Sequence, residues 1–261
     1  MSVIEAVKHA AYALNKKPEI HWISSSDFDP AEKSPLEIKN NLKKLNGYGG
    51  IVIPGGFGSR GVEGKINVIK YVRENKIPFL GLCYGMQLAT IEYARAKANM
   101  KNAHTTEVDA KTAYPVIDIL PEQKKNLKEK NFGATMRLGA YPAIIRSDTI
   151  AYKAYKNSNY NITDKKQLGK LGVPKDEILI FERHRHRYEV NPLYIEQLEE
   201  KGLVFSGHSP DRRLMEILEL PKKVHPFFVA TQFHPELKSK PLNAHPLFKE
   251  FVSSAIKNNR I

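Results

Sequence analysis

The sequence predicts an α/β fold, with a mixed, mostly parallel sheet that carries helices on both faces. The first half of the chain alternates short apolar runs with segments of helical spacing. Gly50–Ile53 is an apolar run bounded by glycine and proline, as buried parallel strands are, and a helical pattern at 62–75 leads to a second run at 77–80. This strand–helix–strand–helix order favours parallel strands joined by covering helices.

The other elements are predicted from spacing and from capping residues. Apolar residues keep helical spacing through the first 15 positions, and Ile20–Ile23 has the composition of a strand. Ser34 followed by Pro35 is typical of a helix start. No repeat or linker divides the chain, so we expect a single domain over 1–261. Further predicted elements are strands at 178–181, 203–206, 214–218 and 227–233 and a helix at about 246–256.

Two stretches rich in lysine and asparagine, 121–131 and 151–176, have weak periodicity. Weak periodicity together with high polarity is typical of segments outside the core. We therefore expect both to be surface excursions, and the second to be an insertion without a catalytic part.

The composition excludes several classes of protein. One cysteine among 261 residues rules out an intrachain disulfide and is typical of a reducing compartment. The N-terminus has no signal-peptide pattern and no apolar run is long enough to cross a bilayer, so we expect a cytoplasmic protein with no membrane partner. The net charge of +13 comes from scattered lysines without interleaved aromatic residues, which favours solvated faces over nucleic-acid binding.

The single cysteine, Cys83, lies between a predicted strand and a predicted helix. Residues 81–85 have the sequence Gly-Leu-Cys-Tyr-Gly, the thiol counterpart of the G-x-S-x-G turn that presents a nucleophile. Such a turn aims its side chain at a helix N-terminus, where N–H groups and the dipole lower a thiol pKa and can hold an oxyanion. A lone cysteine is more commonly a small buried hydrophobe, so the nucleophile hypothesis depends on partner residues.

Two such partners lie at the end of the last predicted apolar strand. His234 is at the end of that strand, and Pro235 stiffens the turn between His234 and Glu236. Catalytic groups of open α/β sheets gather at the carboxyl ends of strands, so we expect Cys83 and His234 at the same edge. His234 would be the base and Glu236 its orienting group, although a capping or exposed histidine is the alternative.

A glycine-rich loop, Pro-Gly-Gly-Phe-Gly-Ser-Arg-Gly at 54–61, directly follows the strand at Gly50–Ile53. A phosphate cradle is the competing interpretation, but the loop matches neither a P-loop nor G-x-G-x-x-G. Beside an elbow cysteine, such a loop can present backbone N–H groups to an oxyanion where a side chain would block the substrate. We therefore favour the second use.

These three motifs together resemble the class I (triad) glutamine amidotransferases, which implies a flavodoxin-like core. Residues 55–64, 135–139, 182–191, 234–236 and 245–248 further resemble the glutaminase domain of CTP synthases, and the similarity covers nearly the whole chain. The arginine–histidine block within 182–191 is the most specific of them. Taken alone, that block could also be a solvated charged strand edge, and its two histidines lack the further ligands of a metal site.

The resemblance implies a glutaminase that works through a cysteine thioester and releases ammonia for the amination of UTP to CTP. Cys83 would be the nucleophile, His234 the general acid/base and Glu236 its orienting partner. The oxyanion hole would be formed by N–H groups at Gly55, Gly56 and Tyr84.

The resemblance also implies an L-glutamine site. A carboxylate such as Glu107 suits the α-ammonium of a free amino acid, and the guanidinium of Arg187 suits its α-carboxylate. The residues expected in this site are Gly56, Phe57, Tyr84, Gly85, Met86, Gln87, Glu107, Arg187 and Tyr188.

The resemblance assigns the family's other parts to sequence outside 1–261. We expect no cofactor or metal in this chain, because ATP and Mg belong to the amidoligase (synthetase) domain, through which the enzyme would form a homo-oligomer. GTP is the allosteric activator, with Arg60 as a candidate contact. That domain and the usual first strand, which would precede Ser2, are absent from these 261 residues.

Two other functions stay open on the same scaffold. One is a free-standing hydrolase resembling γ-glutamyl hydrolase, against which the free-amino-acid pocket of Glu107 and Arg187 counts. The other is a catalytically silent regulatory or binding module, against which the intact Cys83, His234 and Glu236 count.

Overall fold

The computed structural model describes residues 1–119, 136–158, 160, 174 and 176–258. Within these ranges no helix combines the length and the apolar character needed to cross a membrane. The helices are α1 (Ser2–Tyr12), α2 (Pro35–Lys44), α3 (Val62–Glu74), α4 (Tyr84–Lys97), α5 (Ile150–Lys156), α6 (Ile195–Glu200) and α7 (Pro246–Lys257). The strands are β1 (Ile51–Ile53), β2 (Phe79–Leu82), β3 (Ala103–Thr105), β4 (Tyr114–Asp118), β5 (Arg137–Ile145), β6 (Ile178–His186), β7 (Glu189–Val190), β8 (Val204–His208), β9 (Met215–Glu219) and β10 (Phe228–Thr231).

Seven strands form one mixed sheet in the order β1-β2-β10-β9-β8-β5-β6. β2 pairs in parallel with both β1 and β10, whereas the other four pairings among the described strands are antiparallel. The predicted mixed sheet is confirmed, but these pairings are mostly antiparallel rather than mostly parallel. The reason is visible between β8 and β9, which are joined by residues 209–214 alone, too few for the crossover that a parallel pair requires.

Helices cover both faces of this sheet, as predicted. Neighbouring residues of β2 point to opposite faces, so Phe79 joins one apolar core and Leu80 the other. The first core is formed with α3 and α4, and the second with α1, α5 and α7. The parallel strands are therefore buried on both sides, which explains their continuous apolar sequences.

A second, three-stranded sheet (β3-β4-β7) packs against α4 and was not predicted. β3 and β4 are parallel, and β4 pairs antiparallel with β7. This sheet matters for the site because Glu107 follows β3 directly and β7 follows Tyr188. It brings two distant parts of the chain to the same side of α4.

The prediction of a strand at Ile20–Ile23 is wrong, because this segment makes no strand hydrogen bonds. A strand needs a neighbour for its N–H and C=O groups, and no described strand lies beside it. Its apolar side chains remain largely outside the cores, with Trp22 72% exposed. By contrast, the helix start at Ser34 is confirmed, with a capping box to Glu37.

The prediction that 151–176 is a surface excursion is wrong for its first part. α5 packs in the second core, where Tyr155 is fully buried and donates a hydrogen bond to Glu182 at 2.9 Å. Apolar positions 150, 151, 154 and 155 share one helix face, a pattern that the surrounding lysines obscure. Most of the remainder of this stretch, and all of 121–131, lie outside the described residues.

α3 and α4 are joined by a buried ion pair. Arg73 donates to Glu92 through Nε and Nη2 at 2.8 and 2.7 Å, and both side chains are almost fully buried. The bidentate geometry satisfies both carboxylate oxygens where water has no access. The pair therefore holds α4, the helix that begins at the site cysteine, against its neighbour.

We expect Arg73→Met to lower the free energy of unfolding by about 3–5 kcal/mol, because it leaves the carboxylate of Glu92 buried without its partner. Urea unfolding followed by circular dichroism measures the change. Glu5→Gln, which breaks the exposed ion pair with Lys8, is the matched control and should leave the midpoint of urea unfolding unchanged. An equally small effect of Arg73→Met would contradict this role.

Candidate active site

Cys83 occupies a strained turn between β2 and α4. Its backbone has φ +50° and ψ −95°, a conformation that costs energy for a residue with a side chain. Its N–H donates to the carbonyl of Thr231 on β10 at 2.6 Å. The turn is also closed by packing, because a Cβ on Gly85 would lie 2.4 Å from the carbonyl oxygen of Ile53. The elbow predicted from the two glycines is present.

His234 and Glu236 lie just beyond the carboxyl end of β10, next to the end of β2. The imidazole Nδ1 is 2.7 Å from Glu236 Oε1, and the backbone N–H of His234 donates to the carbonyl of Arg183 on β6 at 2.8 Å. Pro235 opens a single 3-10 turn that sets the spacing of the two side chains. The predicted orienting contact is therefore made.

The environment of His234 favours its protonated form. Burial by itself lowers the pKa of this imidazole, but the neighbouring Cys83 sulfur and the Glu236 carboxylate outweigh it and raise the pKa to about 10. A protonated imidazole between a thiolate and a carboxylate is the resting state of a cysteine–histidine nucleophile.

The glycine loop lies directly over this pair. A Cβ on Gly55 would come within 2.8 Å of His234 Cε1 and 3.7 Å of Cys83 Cβ, so any side chain there would displace the imidazole. Tyr84 begins α4, and the N–H groups of a first helical turn have no intrahelical acceptor. The glycine loop and the start of α4 thus both lie close to the thiol.

Two side chains hold the loop in place. Glu107 Oε1 accepts a hydrogen bond from the N–H of Gly58 at 3.1 Å, and the Tyr84 hydroxyl donates to the Gly58 carbonyl at 2.5 Å. Glu107 therefore reaches the loop with one carboxylate oxygen. The residue that the resemblance assigns to the α-ammonium thus also holds the glycine loop.

Tyr188, Arg187 and Glu107 are close enough to influence one another electrostatically. Burial raises the pKa of the Tyr188 hydroxyl, the negative charge of Glu107 adds to this, and the positive charge of Arg187 opposes it. Two opposite charges thus act on one tyrosine, and the α-ammonium and α-carboxylate of a free amino acid would need charges of these two signs.

Three residues expected in the glutamine site differ widely in burial. Met86 is fully buried in the first core, and its N–H donates to the carbonyl of Cys83. Gln87 is buried and donates to the Tyr188 carbonyl at 3.0 Å. Phe57 is 87% exposed at the tip of the loop.

Gln232 is a site residue that the sequence analysis missed. Its amide Nε2 lies 3.6 Å from Cys83 Sγ, and its Oε1 accepts from Gln87 at 3.4 Å. The side chain is fully buried and so is held ready to donate to a thiolate. Its spacing of two residues from His234, at the same strand end, is the signal that could have found it.

Within the described ranges, no group of three or more histidine, cysteine, aspartate or glutamate side chains could hold a metal ion. His184 and His186 instead contact each other, with Nδ1 of the first 2.9 Å from Nε2 of the second. Along β6 these histidines are buried, while Arg183 and Arg185 are exposed. The exposed face of the strand therefore carries arginines, whereas its buried face carries Glu182 and the two histidines.

We expect Glu236→Gln to lower the pKa of His234 by about 1–2 units, because it removes the adjacent negative charge. In the unaltered protein the folded-state pKa lies above the ordinary value. The contact therefore stabilises the fold fully below about pH 6.5, and this contribution is lost as the pH rises through about 10. An NMR titration of the His234 ring measures the shift, with Glu199→Gln as a remote control. An unchanged midpoint would contradict the assignment.

Comparisons with known proteins agree with this geometry. The family model described as glutamine amidotransferase class-I matches residues 1–254. The chain is 47% identical over 257 residues to a CTP synthase of Bacillus velezensis and 50% identical over 256 residues to one of Caldanaerobacter subterraneus. Each alignment covers 98% of this chain but 42% of the relative, so the chain spans less than half the length of these curated relatives.

Solved structures give the same result. A structure described as the glutaminase domain of Trypanosoma brucei CTPS with bound acivicin is 32% identical, with a TM-score of 0.82 over 100% of this chain and 89% of that one. A putative GMP synthase protein from Thermoplasma acidophilum shares the fold at 15% identity, with a TM-score of 0.53 over 97% of this chain and 88% of that one. The chain belongs to the class I glutamine amidotransferase family, as a relative of the glutaminase domain of CTP synthases.

Proposed function

We propose that this chain hydrolyses L-glutamine to glutamate and ammonia through a thioester on Cys83. The observation that carries the proposal is the elbow thiol beside the His234–Glu236 pair, beneath a loop whose glycine leaves room for the imidazole. The comparisons support it, because the chain aligns over its whole length with a domain described as a glutaminase.

The reaction begins with attack of the Cys83 thiolate on the side-chain amide carbon of glutamine. Negative charge moves to the amide oxygen, where N–H groups near Gly55, Gly56 and Tyr84 would stabilise it. The C–N bond then breaks as His234 gives its proton to the leaving nitrogen, which departs as ammonia. The acyl group remains on sulfur as a thioester.

Hydrolysis of the thioester uses the same imidazole as a base. Neutral His234 takes a proton from a water molecule while the oxygen of that water attacks the acyl carbon. The C–S bond then breaks, which releases glutamate and restores the thiolate beside a protonated imidazole. Glu236 holds Nδ1 throughout, so the opposite ring nitrogen faces the reaction. Gln232 would stabilise the thiolate in both steps.

Selection of a free amino acid is assigned to Glu107 and Arg187. The carboxylate would bind the α-ammonium and the guanidinium the α-carboxylate, so a γ-glutamyl peptide is not required for recognition. Glu107 would take part both in substrate binding and in placing the oxyanion donors, since the same side chain holds Gly58 of the glycine loop. These contacts hold the amino-acid end of the substrate, and the kinetic comparison with a γ-glutamyl peptide below tests whether a larger leaving group is also accepted.

The ammonia has a proposed consumer in a synthetase domain outside this chain. The curated relatives are named CTP synthases, and this chain aligns with 42% of their length. We therefore propose that an amidoligase domain uses ATP and Mg to aminate UTP, that GTP activates the glutaminase near the exposed Arg60, and that the enzyme oligomerises through the other domain in the cytoplasm.

We expect Cys83→Ala to reduce glutamine turnover by at least about 1,000-fold, because no other described group can form the thioester. Ammonia release and trapping of a covalent adduct with an electrophilic glutamine analogue measure the effect. Arg146→Gln, at an exposed and remote position, is the control and keeps full turnover. Full activity of the alanine variant would refute the proposal, and glutamine binding with no turnover by the unaltered protein would indicate a silent module.

We expect Glu107→Gln to raise the KM for glutamine by about 10- to 100-fold, because it removes a charge-assisted contact to the α-ammonium. The new amide keeps an oxygen that can accept from Gly58, so the loop tether is preserved. Steady-state kinetics with glutamine and with a γ-glutamyl peptide measure the change, and Glu199→Gln is the charge-matched control. Efficient cleavage of the peptide by the unaltered protein would favour the γ-glutamyl hydrolase alternative.

A further inference from the structure

A buried polar cluster lies behind the inner face of β6. It comprises Arg137 at the start of β5, His184 and His186 on β6, Glu189 on β7 and Glu216 on β9, all buried. Arg137 Nη1 donates to Glu216 Oε1 at 2.9 Å and lies 3.4 Å from Glu189 Oε1. One permanent positive charge thus faces two carboxyl groups and two histidines. The catalytic mechanism uses none of these five side chains.

The hydrogen on His186 is assigned from its partner. Nδ1 lies 3.2 Å from the carbonyl oxygen of Tyr188, which can only accept, so Nδ1 carries the hydrogen. Burial, reinforced by the charge of Arg137, lowers the pKa of His186 to about 3, so the ring is neutral. A neutral imidazole has one N–H, and Nε2 of His186 is therefore an acceptor.

The hydrogen on His184 follows in turn. Its Nδ1 lies 2.9 Å from the acceptor Nε2 of His186, so Nδ1 donates. Burial and the charge of Arg137 lower the pKa of His184 to about 2, so this ring is also neutral. Nε2 of His184 is therefore a bare acceptor. It is buried and has no hydrogen-bond partner among the described residues.

The atom that faces this acceptor is Glu216 Oε2, 3.6 Å away. It too is buried without a hydrogen-bond partner in the described part of the chain, whereas Oε1 of the same carboxyl accepts from Arg137. Two bare acceptors facing each other repel, and a proton on Oε2 turns the contact into a donor and an acceptor. Burial raises the pKa of Glu216, which agrees with a retained proton.

This chain of contacts ends at the site. The Tyr188 carbonyl that accepts from His186 also accepts from Gln87 at 3.0 Å. Gln87 contacts Gln232, whose amide faces Cys83 Sγ, and the backbone N–H of Gln232 donates to the carbonyl of Glu216 at 2.9 Å. The proton state of Glu216 can therefore affect the position of the glutamine pocket.

We propose that a proton on Glu216 Oε2 holds the His184–His186 pair, and through it Tyr188 and Gln87, in the arrangement that binds glutamine. Glu216 and the two histidines are then positioning residues, and the inference rests on the proposed function. Loss of the proton leaves facing acceptors, releases the pair and loosens the Tyr188 carbonyl. Glutamine affinity is lost on the alkaline side, while the thiol and His234 remain in place.

The surroundings of Glu216 determine the direction of this effect. Arg137 from β5 favours its charged form, while Asp211, before β9, favours its neutral form. Glu189 from β7 shares the Arg137 guanidinium with Glu216, and burial together with the charge of Glu216 raises the pKa of the Glu189 carboxyl to about 8. His184 and His186 from β6 are neutral and supply no charge. When both carboxyls are ionised, the charge of Arg137 balances only one of them, and the buried cluster carries a net negative charge. Rising pH therefore destabilises the cluster.

The test compares the KM for glutamine from about pH 6 to about pH 8.5 in three proteins. In the unaltered chain we expect KM to rise by about 10-fold over this range, with a smaller change in kcat. Glu216→Gln keeps the low-pH KM throughout, because its amide N–H donates to His184 at every pH and its oxygen still accepts from Arg137. Glu219→Gln removes another buried carboxyl of β9, whose contacts are with α5, and retains the profile of the unaltered chain.

A second measurement needs neither a variant nor a substrate. Nitrogen NMR of the unaltered protein at about pH 6 must show the hydrogen on Nδ1 of both His184 and His186. Hydrogens on Nε2 of either ring, or the same KM profile for Glu216→Gln and the unaltered chain, would overturn this inference. Absence of any glutamine turnover would overturn the proposed function, and the nitrogen spectrum would still decide the proton assignment.

Discussion

The strained backbone at Cys83 is the constraint on which the site depends. A side chain at φ +50° is held there because both flanking glycines fit against their neighbours and the Cys83 N–H is bonded to β10. If that turn relaxed, the thiol would move away from His234, and the start of α4 would move away from the glycine loop. The apolar cores on both faces of β2 supply the packing that keeps it closed.

Histidines near this turn are placed in opposite electrostatic environments. His234 lies between a sulfur and a carboxylate, and its pKa is raised although it is largely buried. His184 and His186 lie beside Arg137, and burial with that charge lowers the pKa of each. The same side chain thus serves as a charged acid/base in one place and as a neutral hydrogen-bond link a short distance away.

Much of the fold and of the catalytic group could be predicted because the signals are local. The helices at both ends, the strands around 51–53 and 79–82 and the elbow follow from spacing and from glycine positions. The strand at Ile20–Ile23 could not be judged this way, because a strand exists only if another lies beside it. The buried face of α5 was missed because the stretch 151–176 as a whole is rich in lysine and asparagine, although the apolar spacing of the helix was present.

The sequence by itself indicated the elbow thiol, the histidine–carboxylate pair and the glycine loop, since each is a short motif of residues close in the chain. Tertiary structure alone decided which groups surround that chemistry. The contacts of Gln232 with the sulfur, of Glu107 with the loop and of Glu216 with the His184–His186 pair join residues that are far apart in the chain. Their hydrogen-bond geometry and protonation depend on burial and on distances across the sheet, which no local pattern encodes.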